Sequence, residues 1–193
     1  MRTRKAFLLN GSSVAGDPPD RISEALEHAL LGEGLAVKRM DVHSARIRPC
    51  LACGACAFRR PGECVVVDDG RDIPRLWAQA DIFAFVSGIR FGGYPAAAKR
   101  ALERTLPVVH PCFTRYRGEM HHRLRYPRRP FMLFVGWQPN ADPETRSLYH
   151  RLTERNATNY QTSHRALVME DELDQETLEQ EMSELVHALE GQA

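Results

Sequence analysis

Residues 5–26, KAFLLNGSSVAGDPPDRISEAL, carry the pattern that decides the fold. The apolar run at 5–10 predicts a buried strand and the small residues after it predict a tight turn. Ile22, Ala25 and Leu26 then begin a repeat at helical spacing, which ends at the glycines of GEG. A second apolar run, LAVKRMD, follows directly. A strand, a helix and a second strand in this order predict a parallel βαβ unit.

Short apolar runs recur along the 193 residues, and five of them are typical of buried strands: KAFLLN, LAVKRMD, DIFAFVSG, PFMLFVG and HRALVME. Helical patterns separate several of these runs, and another helix is predicted at the C-terminus. The sequence therefore predicts an α/β fold in one domain over residues 1–193, with a five-stranded parallel sheet covered on both faces. Two segments, a Cys-rich one at about 43–70 and a basic one at about 108–130, are predicted to be long functional loops.

Composition narrows the class of protein. The chain is 43% hydrophobic and has a formal net charge of +1, which is too balanced to indicate binding to nucleic acid or membranes. The apolar run near the N-terminus is too short for a signal peptide or a transmembrane span. We therefore expect a cytoplasmic protein whose cysteines are reduced rather than paired in disulfides.

The first loop has the shape of a phosphate cradle without its usual lysine. Gly11 and Gly16 stand at the spacing of a nucleoside triphosphate loop, but Asp17 and Pro18 replace its lysine and hydroxyl residue, which excludes a nucleotide triphosphatase. Backbone N–H groups with the hydroxyls of residues 12 and 13 would suffice for a single phosphate. A capped turn without a ligand explains the same residues equally well, because Asp17 would lie unfavourably near an anion.

The Cys-rich segment carries the second candidate site, formed by Cys50, Cys53, Cys56 and Cys64. Overlapping CxxC units place three thiolates on one short loop, which suits a [4Fe-4S] cluster with the fourth ligand nearby. Thiols that are structural or redox-active are an equal alternative, and zinc ranks third because it usually takes two separate CxxC pairs. Cys112 lies apart and is expected to be a small buried residue.

The basic segment, RYRGEMHHRLRYPRRP, has two interpretations. Its arginines suit the phosphates of a nicotinamide dinucleotide or an acidic partner. A solvated loop that makes subunit contacts is slightly favoured. His121 and His122 are adjacent, so their side chains are expected to diverge rather than to share a metal ion.

Three motifs in order, LLNGSS, IRPCLACGACAFRRPGECVVVDD and ADIFAFVSGIRFGGYPAAAKRALER, resemble those of the flavodoxin-like NAD(P)H-dependent FMN reductases and the related iron-sulfur flavoproteins. The resemblance implies a flavodoxin-like three-layer sandwich with strand order 2-1-3-4-5, FMN at the strand ends, and a homodimer or homotetramer. It also implies that the FMN phosphate lies in the first loop, that a second loop lines the isoalloxazine and that a third follows the fourth strand. The corresponding residues are Gly11, Ser12, Ser13 and Gly16 for the first loop, Ser87, Gly88, Ile89, Arg90 and Phe91 for the second, and Gly136 and Trp137 for the third.

The function that follows is an FMN-dependent oxidoreductase in which NAD(P)H reduces the flavin and the flavin reduces an unknown acceptor. The flavin carries this chemistry, so no catalytic acid or base is expected from the protein, and Arg90 is a candidate for tuning the reduced ring. Two alternatives stay open. One is an electron carrier with FMN and a [4Fe-4S] cluster, and the other is a flavin-free protein with a regulatory or assembly role.

Overall fold

The computed structural model describes residues 2–170 and 174–190, and it contains one five-stranded sheet in which all strands are parallel. Its strands are β1 (Lys5–Asn10), β2 (Ala36–Asp41), β3 (Ile82–Gly88), β6 (Phe131–Trp137) and β7 (His164–Met169), in the order β2-β1-β3-β6-β7. The expected order 2-1-3-4-5 is confirmed. The numbering differs because two further strands, β4 (Val109–Tyr116) and β5 (Glu119–Leu124), form a separate antiparallel hairpin.

Six α-helices and two short 3₁₀ helices, Asp69–Asp72 and Leu106–Val108, complete the described fold. The α-helices are α1 (Pro18–Gly32), α2 (Ala55–Phe58), α3 (Ile73–Gln79), α4 (Ala96–Glu103), α5 (Pro143–Asn159) and α6 (Gln175–Glu190). Helices α1 and α6 cover one face of the sheet, while α3, α4 and α5 cover the other. The central strands β1, β3 and β6 are apolar on both sides because each of their faces packs against one of these layers. Within the described ranges, no helix is long and apolar enough to cross a membrane.

The basic segment at about 108–130 is largely a β-hairpin rather than a loop. Arg117 and Gly118 form its two-residue turn, with φ angles of 51° and 82°, as a type I′ hairpin turn requires. His121 is buried and His122 is exposed, because successive residues of a strand point to opposite faces. The expected divergence of the two histidines is therefore confirmed.

Candidate functional site

The loops that follow β1, β3 and β6 meet at the carboxyl edge of the sheet, where ligands bind in open α/β folds. The strand register fixes this meeting: Asn10 pairs with Val86, and Gly88 pairs with Trp137. All eleven residues expected at the flavin site lie in these loops or at these strand ends. They are Gly11, Ser12, Ser13, Gly16, Ser87, Gly88, Ile89, Arg90, Phe91, Gly136 and Trp137.

The second loop is a tight turn that displays an aromatic ring. The N–H groups of Arg90 and Gly93 each donate to the other residue's carbonyl, at 2.8 and 2.9 Å. Phe91 and Gly92 between them have φ angles of 50° and 71°, and the Phe91 side chain is fully exposed. A non-glycine residue held in the left-handed region is costly and often marks a functional turn. The turn therefore offers a flat apolar surface at the ligand edge of the sheet.

Two neighbouring side chains point into the protein instead. Ile89 and Ser87 are buried, and Ile89 packs in the core beside Tyr149. Gly136 permits this packing, because a Cβ there would lie 2.6 Å from Tyr149 Cζ. Ile89 consequently presents its backbone, rather than its side chain, to the edge. The indole Nε1–H of Trp137 is buried without an acceptor in the described part of the chain, so it is a candidate donor to a ligand.

Gly11 holds the first loop against the sheet. Its N–H donates to the Val86 carbonyl at 2.7 Å, and a Cβ at this position would lie 2.7 Å from Ala98 Cβ and 2.9 Å from that carbonyl oxygen. The position is closed to any side chain, because the clash involves backbone and a buried helix.

Changing Gly11 to alanine is expected to lower the free energy of unfolding by about 1–3 kcal/mol, the usual cost of overpacking a core. Urea unfolding monitored by circular dichroism measures this change. Gly32→Ala is the matched control, since a Cβ there would have nothing within 4 Å of it and alanine favours a helix. If both substitutions have the same effect, close packing at Gly11 is not what the loop needs.

Several donors of the first loop, though not those of the exposed Ser13, are occupied by acceptors from the chain itself. The Ser12 hydroxyl lies 2.7 Å from Asp17 Oδ1 and 2.6 Å from the Val14 carbonyl oxygen. The Gly16 N–H donates to Asp20 Oδ2 at 2.7 Å, and the Asp20 N–H donates to Asp17 Oδ1 at 3.0 Å as the helix cap. A phosphate dianion needs such donors and is repelled by the Asp17 carboxylate, so Ser12 and Gly16 do not fit their expected role of holding the phosphate of FMN.

An arginine fixes the carboxylates beneath this loop. Arg39 donates from Nη2 to Asp20 and from Nε to Asp41, both at 2.6 Å. The Asn10 amide donates to the same two carboxylates at 2.7 and 2.8 Å. Burial opposes the charge on Arg39, but the hydrogen bond and the charges of Asp41 and Asp20 outweigh it and raise its pKa. Asp20 is therefore held in place and cannot easily make room for an anion.

The four cysteines of the Cys-rich segment surround a second candidate site. Cys50, Cys53, Cys56 and Cys64 all line one cavity of about 350 Å³, whose other walls are mostly apolar. The pKa of the Cys56 thiol is raised, first by burial and then by the neighbouring thiols of Cys50 and Cys64. The other thiols are therefore near enough to oppose ionisation of Cys56, a cost that a bound cation removes.

Among the residues that the structure describes, no three of these sulfur atoms lie as close together as in a tetrahedral zinc site. Tetrahedral Zn²⁺ with Zn–S bonds of about 2.3 Å brings its sulfur ligands to about 3.8 Å from one another. Among the described residues, the one group of three His, Cys, Asp or Glu ligand atoms within 4.8 Å of one another is Asp20, Asp41 and His43. A cubane spreads its thiolates over separate iron corners and does not need such close sulfur atoms, so the four-cysteine set is compatible with an iron-sulfur cluster.

Buried charges close the base of the Cys-rich segment. The Asp68 carboxylate accepts the N–H of Arg48 and a hydrogen bond from Arg104 Nη1, both at 2.8 Å, and Asp69 accepts the N–H of Arg46 at 2.7 Å. Burial opposes ionisation of Asp68, but the hydrogen bonds from Arg104 and Arg48 lower its pKa. Residues 46–48 and 68–69 are thereby joined, and the cysteines lie on the loop between them.

The β4–β5 hairpin covers the cysteine cavity from outside. His122 lines the cavity and stacks on Phe113, with ring centroids 4.4 Å apart, and Arg125 reaches the Cys56 carbonyl at 3.4 Å. On its other face the hairpin is tied to α5 through Glu119 and Arg155. Part of the basic segment is thus a structural cover for the cysteines. Cys112, which we expected to be buried, is exposed because the hairpin directs it to solvent.

Comparison with known sequences identifies the family. Residues 4–127 match the family model of the NADPH-dependent FMN reductases, and the chain belongs to this family of oxidoreductases. The chain is 29% identical over 87 residues to an iron-sulfur flavoprotein of Methanocaldococcus jannaschii, a match that covers 45% of this chain and 44% of that protein. It is 28% identical over 106 residues to an iron-sulfur flavoprotein of Archaeoglobus fulgidus, covering 55% and 47%. The matches span about half the length of these relatives.

Solved structures share the fold at low sequence identity. An NAD(P)H:quinone oxidoreductase from Methanothermobacter marburgensis superposes with a TM-score of 0.69 at 10% identity, covering 97% of this chain and 100% of that one. An FMN-dependent NADH-azoreductase from Bacillus anthracis, solved with FMN, superposes with a TM-score of 0.64 at 12% identity, covering 97% and 99%. The chain therefore has the flavodoxin-like fold that we expected.

Sequence reasoning missed the residues that hold the two sites in place. Arg104 fits a surface pattern with Lys99 and Glu103, and those two do form an exposed pair on α4. Arg104 itself is buried and bound to Asp68. The one related feature of the sequence is Asp68 near the end of the cysteine motif, because a carboxylate that becomes buried needs a cation as partner.

Proposed function

We propose that this protein is an NAD(P)H-dependent flavoprotein that passes electrons from a flavin at the strand-end loops to a [4Fe-4S] cluster on Cys50, Cys53, Cys56 and Cys64, and onward to an acceptor. The observation that carries the proposal is a second cavity, of about 630 Å³. It is lined by Gly93 and Tyr94 of the second loop and also by Cys50 and Ala52. The flavin loop and the cysteine segment thus border one space, which supports electron transfer between groups held by the two segments.

A flavin, when bound, accepts a hydride from NAD(P)H and releases electrons singly, while the cluster accepts one electron at a time. The chain's own residues hold and shield these groups. Phe91 supplies an apolar face for a ring, Arg90 places a positive charge at the same turn, and Trp137 supplies an N–H. The walls of the cysteine cavity are mostly apolar, and the guanidinium of Arg104 lies beside Cys64, which helps to raise the pKa of Arg104.

Anaerobic purification followed by an absorption spectrum and an iron assay tests the proposal. We expect about four iron atoms per chain and a broad absorption shoulder. Added flavin should give a two-banded spectrum that bleaches when NADPH is added. Cys53→Ser is expected to abolish iron retention, whereas Cys112→Ser, on the exposed hairpin, is the matched control and should retain it. Iron retention that is equal in both variants would exclude the cysteine motif as the cluster site.

A second candidate is a carrier of electrons that does not oxidise NAD(P)H. The carboxylates in the first loop favour it, because they remove the expected hold on FMN. Bound iron without NADPH turnover would support this candidate.

We also expect a homodimer or homotetramer in which the exposed Phe91 ring is available to a partner subunit. Light scattering tests that expectation.

A further inference from the structure

We infer that the first strand-end loop selects against a phosphate, so that the flavin preferred by this protein is the unphosphorylated one, riboflavin. The inference rests on the proposed function, since it concerns the ligand of the same site. Family membership implies FMN, whereas the loop that should hold the FMN phosphate carries carboxylates, which accept hydrogen bonds, where a phosphate needs donors.

The start of α1 offers no backbone donor to an anion. Pro18 and Pro19 occupy its first two positions and have no N–H group. The third position, Asp20, donates its N–H to the cap residue Asp17 at 3.0 Å. The Gly16 N–H, immediately before the cap, is taken by the Asp20 carboxylate. The arrangement that makes a helix start attractive to phosphate is therefore absent from this helix.

The charge of the loop opposes a phosphate as well. Residues 11–20 contain two aspartates and no lysine or arginine. Asp20 is paired with Arg39, which also binds Asp41, whereas the hydrogen-bond donors to the Asp17 carboxylate in the described part of the chain are the Ser12 hydroxyl and the Asp20 N–H. A phosphate monoester carries a charge of about −1.5 to −2 at pH 7 and can only accept hydrogen bonds from such a loop. It would be repelled by Asp17, and in this loop the exposed Ser13 and Ala15 are left to offer it donors in place of its solvating water.

A hydroxyl group suits the same loop. The ribityl chain of riboflavin ends in an uncharged hydroxyl, which can donate to the Asp17 carboxylate where a phosphate cannot. Riboflavin and FMN are otherwise identical, so their affinities differ only through this end of the molecule. The isoalloxazine, at the Phe91 turn, is common to both.

Quenching of flavin fluorescence measures the dissociation constants of riboflavin and FMN and so tests the inference. We expect riboflavin to bind the native protein at least about tenfold more tightly than FMN at low ionic strength, as like-charge contacts disfavour a ligand strongly. Added salt should bring the two affinities closer together by screening the repulsion of FMN. If the loop attracted phosphate, salt would instead weaken the binding of FMN. Tighter binding of FMN, or equal binding, overturns the inference and leaves the proposed function standing. Failure of both flavins to bind overturns both.

A charge-removing variant assigns the preference to the loop. Asp17→Ser keeps a good helix cap. It should bring the ratio of the dissociation constants of FMN and riboflavin close to one, mainly by strengthening the binding of FMN. The matched control is Asp142→Ser, because Asp142 caps α5 in the same Asp-Pro context and removes the same charge two strands away. A ratio that stays unchanged in Asp17→Ser, or that changes equally in both variants, contradicts selection by Asp17.

Discussion

Replacing Arg104 with leucine is expected to lower the free energy of unfolding by about 3–5 kcal/mol, the usual cost of removing one partner of a buried ion pair. The Arg104 and Asp68 side chains are only 1% and 5% exposed, so water cannot take the place of the guanidinium. Arg104 also donates to the carbonyls of Arg48 and Val66, which lie on opposite sides of the cysteines. The substitution should therefore release the whole Cys-rich segment as well as lower global stability.

Urea unfolding gives the change in stability, and the rate at which the cysteines react with a thiol reagent reports release of the segment. Lys99→Leu is the control on the same helix, since the pair of Lys99 with Glu103 is exposed and should contribute less than about 1 kcal/mol.

The lowered folded-state pKa of Asp68 sets the pH window in which Arg104 stabilises the protein. The stabilisation by ionised Asp68 is complete above the unfolded pKa of about 3.9 and is lost as the pH falls through the folded pKa. The free energies of unfolding of the native protein and of Arg104→Leu should therefore converge in acid. Equal thiol reactivity in variant and native protein would show that Arg104 does not close the segment.

The sheet could be predicted from sequence because each of its strands is marked by a local pattern of apolar residues. β1 and β3 are continuous apolar runs buried on both faces, and the helix between β1 and β2 has a clear apolar period. The β4–β5 hairpin could not be recognised in the same way. Its strands are half-exposed and rich in charge, and its turn uses Arg117 at a position where asparagine or aspartate would be the usual signal.

The two candidate sites were predictable to different degrees. The cysteine spacing alone indicated that four thiols converge, and they line one cavity. The pairing of Arg104 with Asp68 joins residues 36 positions apart, and no local pattern specifies such a contact. In the first loop, glycine and serine suggested hydrogen-bond donors, but whether those donors are free depends on the side-chain directions of Asp17 and Asp20, which only the folded loop determines.

Replacing Arg39 with methionine is expected to lower the free energy of unfolding by about 2–4 kcal/mol, between the values for surface and fully buried ion pairs. The Arg39 side chain is 16% exposed and contacts three carboxylates, those of Asp20 and Asp41 at 2.6 Å and that of Glu27 at 3.4 Å. Asn10 lies between the carboxylates of Asp20 and Asp41. Without the guanidinium, two like charges would share one amide donor in a mostly buried place, and their repulsion would act directly beneath the first loop.

Urea unfolding of three proteins separates the charge of Arg39 from its packing. Arg39→Met alone should show the full loss, while Arg39→Met combined with Asp20→Asn should recover part of it, because the second change removes one of the unpaired charges. Arg39→Lys, which keeps the charge but cannot bind both carboxylates in a fork, should fall between native protein and Arg39→Met. If the double variant is no more stable than Arg39→Met, the arginine acts through packing. Asp20 is then not the charge that it neutralises, and Asp20 would join Asp17 in opposing any anion at this loop.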